Sequence, residues 1–149
     1  MGKIFLIRHG QTDSNSGQMF QGQMDTSLNA LGHSQSRQMA EYMKRFELDA
    51  IYCSSMLRAR QTCAPLAVAQ GLAYHPMDLL KEVSFGDWEG VPFTEIHKLD
   101  PVGMTTFLER PGDFTPPKGE TFAQAQKRWL KALDYIIERE GHDKNIAVV

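Results

Sequence analysis

The chain has 149 residues, 42% of them hydrophobic and 23% charged, with a formal net charge of −2 at pH 7. Those values are ordinary for one soluble globular domain over residues 1–149, and the slightly negative charge argues against a nucleic-acid or anionic-membrane surface. Two cysteines, Cys53 and Cys63, make no disulfide framework and fit no metal-ligand spacing, and no apolar run is long enough for a bilayer.

Ile4-Phe5-Leu6-Ile7 is a short apolar run that suits a strand buried on both faces. Arg8, His9 and Gly10 follow it directly. In an open parallel sheet, ligands sit beyond the carboxyl ends of the strands. A fixed cation and an imidazole therefore stand where a phosphate would be held. A guanidinium grips two oxygens of a phosphate dianion in its planar fork. A neutral imidazole is a nucleophile near pH 7 and can carry a phosphoryl group covalently. Gly10 lets the backbone turn or approach a ligand closely. Residues 11–27 are polar and rich in Gly, Asn and Ser, and they read as a long loop near the site. On chemistry alone, Asn15 is a turn residue bonding its own backbone.

A helix is expected over residues 30–46, with Met39, Met43 and Phe46 facing the core. Residues 49–53 form a second strand, and Ser54-Ser55 offer the N-cap of a helix running to residue 70. Arg58 falls in the first turn of that helix. A cation there opposes the helix dipole, at a cost of about 0.3–1 kcal/mol. An anion bound beside the helix end removes the conflict; the alternative is a solvated or acid-paired arginine. A third strand spans residues 73–75 and stops at Pro76.

The stretch from Asp78 to Gly90 holds three acids, Glu82, Asp87 and Glu89. A carboxyl group beside a bound phosphate dianion favours its protonated form and can donate to a leaving alkoxide. Chemistry alone does not choose among the three. Short helices are expected over 93–99 and 105–109, and the Pro/Gly-rich segment 111–119 reads as a cover over the site. Thr121 and Gln124 make a capping-box pattern. The helix after it repeats Phe122, Ala125, Trp129, Leu130, Leu133, Ile136 and Ile137 at steps of three and four, which are core positions. Gly141 ends that helix, and residues 145–149 begin a buried strand.

Four blocks, taken together and in this order, resemble the histidine phosphatase superfamily, with its phosphoglycerate-mutase-like fold. They are Leu6-Ile7-Arg8-His9-Gly10-Gln11-Thr12 with Asn15; Phe20-Gln21-Gly22-Gln23 with Asp25 and Leu28; Cys53 through Thr62; and Glu82 through Gly86 with Trp88, Glu89 and Gly90. The resemblance implies an α/β fold, a three-layer αβα sandwich with a mostly parallel sheet. It implies His9 as nucleophile, Arg8 and Arg58 on the transferring group, and Glu82 as proton donor. Asn15 and the segment Gln21, Gly22 and Gln23 are implied to contact the phosphate or nearby substrate atoms. The implied activity is hydrolysis of a small phosphorylated metabolite through a phosphohistidine, releasing inorganic phosphate, with no metal or other cofactor; the two cysteines, outside any disulfide framework, suit a reduced, cytoplasmic setting.

The sequence departs from the family in places. The family has a second histidine directly after the last strand seen here, followed by a further strand and helix. Nothing follows Val149, and His33, His75, His97 and His142 lie elsewhere. The chain is accordingly expected to be a fragment or a truncated member, with one sheet face poorly covered and a tendency to homo-oligomerise. Val83 and Glu89 stand where the mutase branch has arginine and glutamine, and paired arginines have no counterpart around Arg110. These differences favour the phosphatase branch, which includes α-ribazole phosphatase-like enzymes. The alternatives are a mutase primed by a bisphosphorylated cofactor and a non-catalytic phosphate-ligand binder.

Overall fold

A computed structural model describes residues 1–149. In chain order the elements are β1 (Ile4–Leu6), α1 (Asp13–Ser16), α2 (Ala30–Met43), β2 (Ala50–Ser54), α3 (Leu57–Gln70), β3 (Tyr74–Met77), α4 (Phe93–Leu99), α5 (Pro101–Glu109), α6 (Phe122–Glu140) and β4 (Ile146–Val148). The strands form one sheet in the order β1-β4-β2-β3, and every pairing is parallel. Parallel neighbours need long crossovers, and the helices supply them. The result is the expected three-layer α/β sandwich. On one face, Met43 of α2 and Cys63 and Leu66 of α3 pack with Ile51, Cys53 and Ala147 of the sheet. On the other, Ile136 of α6 packs with Tyr52, Ile146 and Val148. No helix is long and apolar enough to cross a membrane.

β2 is buried at every position, as a central strand covered on both faces should be. β1 is not, contrary to the reading of its apolar run. It lies at an edge, and Ile4 and Leu6 are 40% and 74% exposed. Phe5 and Ile7 turn to the α2–α3 core. Leu6 points to the α6 face, where α6 covers β2 and β4 but not β1. β3 also corrects its expectation, because it runs through Pro76. As the opposite edge strand it tolerates a residue without an N–H.

Three helices differ in extent or in the face they bury. α2 stops at Met43, and Phe46 closes a turn onto the Met43 carbonyl while packing on the same core. α5 begins at Pro101, because Asp100 caps it by accepting the Gly103 amide at 2.8 Å. In α6 the Thr121–Gln124 capping box is present, but Leu130 is 52% exposed rather than core.

A second core is aromatic. Phe20 meets Trp88 edge-on at 4.9 Å between ring centroids, and Trp88 packs at a tilt on Phe114 at 4.5 Å. It fastens the loop after β1 to the segment carrying the three acids. The 111–119 loop belongs to this core. Phe114 fills it, and the Pro117 carbonyl accepts the Asp87 amide at 2.9 Å. The loop therefore braces the Gly86–Trp88 turn, and it contributes no wall to the cavity at the end of β1.

Candidate active site

The site forms where β1 leaves the sheet. The Ile7 amide still bonds the Val148 carbonyl at 2.9 Å, and the next two residues, Arg8 and His9, stand free of the ladder. Gly10 is then pinned to α3. Its amide donates to Thr62 Oγ1 at 3.0 Å, and that hydroxyl donates to the Arg58 carbonyl at 2.8 Å. A side chain at Gly10 would put its Cβ 2.5 Å from the Gly32 carbonyl, so only glycine admits this close passage of α2.

His9 Nδ1 lies 2.7 Å from the Gly10 carbonyl. A carbonyl only accepts, so Nδ1 carries the proton and Nε2 keeps the lone pair. Burial pulls the His9 pKa below its ordinary 6.5. The Gly10 bond opposes that shift, the Arg58 and Arg8 cations add to it, and Glu82 opposes it. The ring is therefore held neutral, with one nucleophilic nitrogen.

Arg58 is 2% exposed, so the solvated reading does not apply. Its Nη1 donates to the Met24 carbonyl at 2.8 Å and its Nη2 to the Gly22 carbonyl at 2.7 Å. Burial lowers its pKa, while Glu82, Asp25 and Glu89 oppose that shift; the guanidinium stays cationic. The expected Ser54-Ser55 cap is absent. The N-cap residue of α3 is Met56, which offers no side-chain bond. The Asp25 carboxylate serves instead, from the loop, by accepting the Leu57 amide at 2.6 Å.

The structure separates the three acids. Glu89 Oε1 accepts the Gln23 and Phe85 amides, each at 2.9 Å. Asp87 pairs with Lys118 at 3.1 Å. Glu82 alone of the three faces the cavity of about 200 Å³ that Arg8, His9, Arg58 and Trp129 also line.

The other candidates have local work as well. Asn15 Oδ1 accepts the Thr12 amide at 3.0 Å, and the Thr12 hydroxyl accepts the Asn15 amide, which completes the capping box of α1. Asn15 also lines a polar hollow beside Arg8, His9, Gln11 and Gln35. Gln21 is buried, and its Oε1 accepts the hydroxyls of Thr12 and Thr26. Gly22 serves through its carbonyl on Arg58. Gln23, implied by the resemblance to contact substrate, donates its side-chain amide to the Glu82 carbonyl at 2.9 Å. Sequence reasoning gives no site role to Asp25, Thr62 or Arg128. Asp25 and Thr62 lie within the family-like blocks, and Asp25 is a residue type suited to capping; Thr62 and Arg128 act on backbone groups, which leave no side-chain pattern.

The comparison with protein families decides the lineage. The model of the histidine phosphatase superfamily (branch 1) matches residues 4–149. The chain belongs to that superfamily. This superfamily member is 36% identical over 149 residues to a probable phosphatase of Schizosaccharomyces pombe, spanning 99% of its own length and 66% of the yeast protein's. The structure of YhfR from Bacillus stearothermophilus matches it with a TM-score of 0.92 at 30% identity, over 98% of this chain and 72% of that one. A mycobacterial glucosyl-3-phosphoglycerate phosphatase, solved with VO3, matches with a TM-score of 0.90 at 29% identity, over 97% and 73%. The chain thus spans about two thirds to three quarters of the length of these relatives. The α/β architecture expected from the resemblance is the one these structures share.

Proposed function

We propose that this chain carries the phosphomonoesterase site of a histidine phosphatase, acting on a small phosphorylated metabolite through a phosphohistidine at His9. The observation that carries the reading is the His9 Nδ1–Gly10 carbonyl bond, which leaves Nε2 free in a cavity shared with Arg8, Arg58 and Glu82. Nε2 attacks phosphorus, and the ester P–O bond breaks. Glu82 gives its proton to the departing alkoxide. A water oxygen then attacks the phosphohistidine while Glu82 takes back a proton. The P–N bond breaks, its electron pair returns to Nε2, and inorganic phosphate leaves.

Arg8 and Arg58 neutralise the transferring group throughout, which is where fixed donors contribute most. Asn15 borders the site and is read as a direct contact, whereas Gln21 and Gly22 act by shaping the loop that holds Arg58. The names of the relatives support a phosphatase. Free, buried thiols at Cys53 and Cys63 support a reducing, cytoplasmic setting. Residues 1–149 are read as belonging to one such domain.

The test is mass spectrometry after brief exposure to p-nitrophenyl phosphate. An acid-labile phosphoryl adduct is expected on His9. An adduct elsewhere, with His9→Ala labelled as before, would overturn the mechanism. With 3-phosphoglycerate the expected product is free phosphate; 2-phosphoglycerate would mark a mutase instead.

A further inference from the structure

Glu82 lies in no helix or strand, so something other than secondary structure must hold it. It follows a 3-10 turn over Asp78–Leu80, is exposed, and has its backbone carbonyl free of any ladder. From the geometry we infer that Arg128 of α6 is the positioning residue for Glu82, setting where the carboxyl stands relative to His9 without touching substrate. This inference rests on the reading of Glu82 as proton donor.

One guanidinium collects three backbone carbonyls of that segment. Arg128 Nη1 donates to the Leu79 carbonyl at 2.8 Å and to the Lys81 carbonyl at 2.7 Å, and Nη2 donates to the Glu82 carbonyl at 3.2 Å. The next residue along α6 adds a fourth bond, Trp129 Nε1 to the Lys81 carbonyl at 2.7 Å. Arg128 is itself held by Glu120, with both side chains about four-fifths buried at 19% and 20% exposure. Gln23 closes the arrangement by donating to the Glu82 carbonyl at 2.9 Å. Gln23 adjoins Gly22 and Met24, whose carbonyls hold Arg58. The proton donor and the phosphate-binding arginine are thereby referred to one loop.

The arrangement suits arginine alone. A planar fork meets several carbonyls at fixed angles, whereas a lysine ammonium is a point charge on a flexible stem. The Glu120 carboxylate balances the charge of Arg128, so its effect on Glu82 is geometric rather than a long-range field. Proton transfer depends on that geometry, and a displacement of about 1 Å can cost about 100-fold.

The experiment compares Arg128→Lys, Arg128→Met and Glu82→Gln on two esters. p-Nitrophenyl phosphate has a leaving group that departs without a proton, whereas glycerol phosphate needs one. Glu82→Gln should lose about 100-fold or more in kcat on glycerol phosphate and little on the aryl ester. The Arg128 variants should show the same asymmetry at about 10- to 100-fold, with KM for the aryl ester unchanged. Arg128→Lys keeps the charge and serves if Arg128→Met does not fold. Equal losses on both esters, or none, would overturn the positioning role while Glu82→Gln stays asymmetric. A symmetric Glu82→Gln would instead overturn the proton-donor reading, and the inference with it.

Discussion

The Asp25 carboxylate accepts the Leu57 amide at 2.6 Å, one residue ahead of the buried Arg58. A helix whose own N-cap position holds Met56 is thus capped from a distant loop, by a group of the sign its dipole favours. Asp25→Ala should lower stability by about 0.5–2 kcal/mol in urea unfolding. It should also weaken phosphate binding, because Arg58 loses its fixed base. Asp25→Asn keeps the acceptor and should retain most of both. Wild-type stability in Asp25→Ala would show that the cap contributes nothing.

What was legible in the sequence was chemistry borne by side chains. Arg8 and His9 follow an apolar run directly, and Arg58 stands at a helix start where its charge is wrong without a ligand. What was not legible depends on the fold's far contacts. The carbonyls of Gly22 and Met24 hold Arg58, and a carbonyl is common to every residue. Glu82, Asp87 and Glu89 could not be ranked until Glu89 was seen spent on two amides and Asp87 on Lys118. Ile4 and Leu6 were misread because burial on both faces depends on strand order, which an apolar run does not encode. Ser54-Ser55 have cap propensity, but the helix begins later and borrows Asp25.

Gly22 joins two of these arrangements. Its φ is 48°, and a Cβ there would lie 2.2 Å from Glu89 Oε1. Gly22→Ala must push Glu89 off the Gln23 and Phe85 amides or shift the carbonyl that holds Arg58. A loss of about 1–3 kcal/mol is expected from the backbone conformation and the displaced bonds. Placing Gly22→Ala in a Glu89→Ala background removes the clash. The increment measured by thermal unfolding should then be smaller. An undiminished increment would assign the whole cost to the backbone angle.

His9 makes a signed pH prediction. Its folded pKa lies below the ordinary 6.5, chiefly through burial. Between the folded and unfolded values the unfolded chain binds more protons, so stability rises with pH across that window. The contribution is complete above the unfolded value and is lost as pH falls through the folded one. On the proposed mechanism activity should follow the same group, because Nε2 must be unprotonated to attack. NMR titration of the His9 ring should show a midpoint below that of a free histidine. Added phosphate should raise it, since a dianion offsets Arg58 and Arg8. A free-chain midpoint at or above the ordinary value would contradict the neutral-nucleophile reading.

Arg58 has two roles that a single substitution mixes. It holds the carbonyls of Gly22 and Met24, and it faces the cavity with His9. Arg58→Met leaves those carbonyls unpaired, at about 1–3 kcal/mol for each that water does not reach. On the proposed reading it also removes a charge-assisted contact to phosphate, worth about 1.5–3 kcal/mol. Urea unfolding over a range of phosphate concentrations separates the two. Stability without phosphate reports the carbonyl contacts, and the rise with phosphate reports binding. Arg58→Lys keeps the charge but not the fork, so it should lose stability nearly as Met does while retaining more of the phosphate-dependent rise. If Arg58→Met unfolds more easily yet gains from phosphate as the parent does, the guanidinium only braces the loop, and Arg8 alone grips the anion.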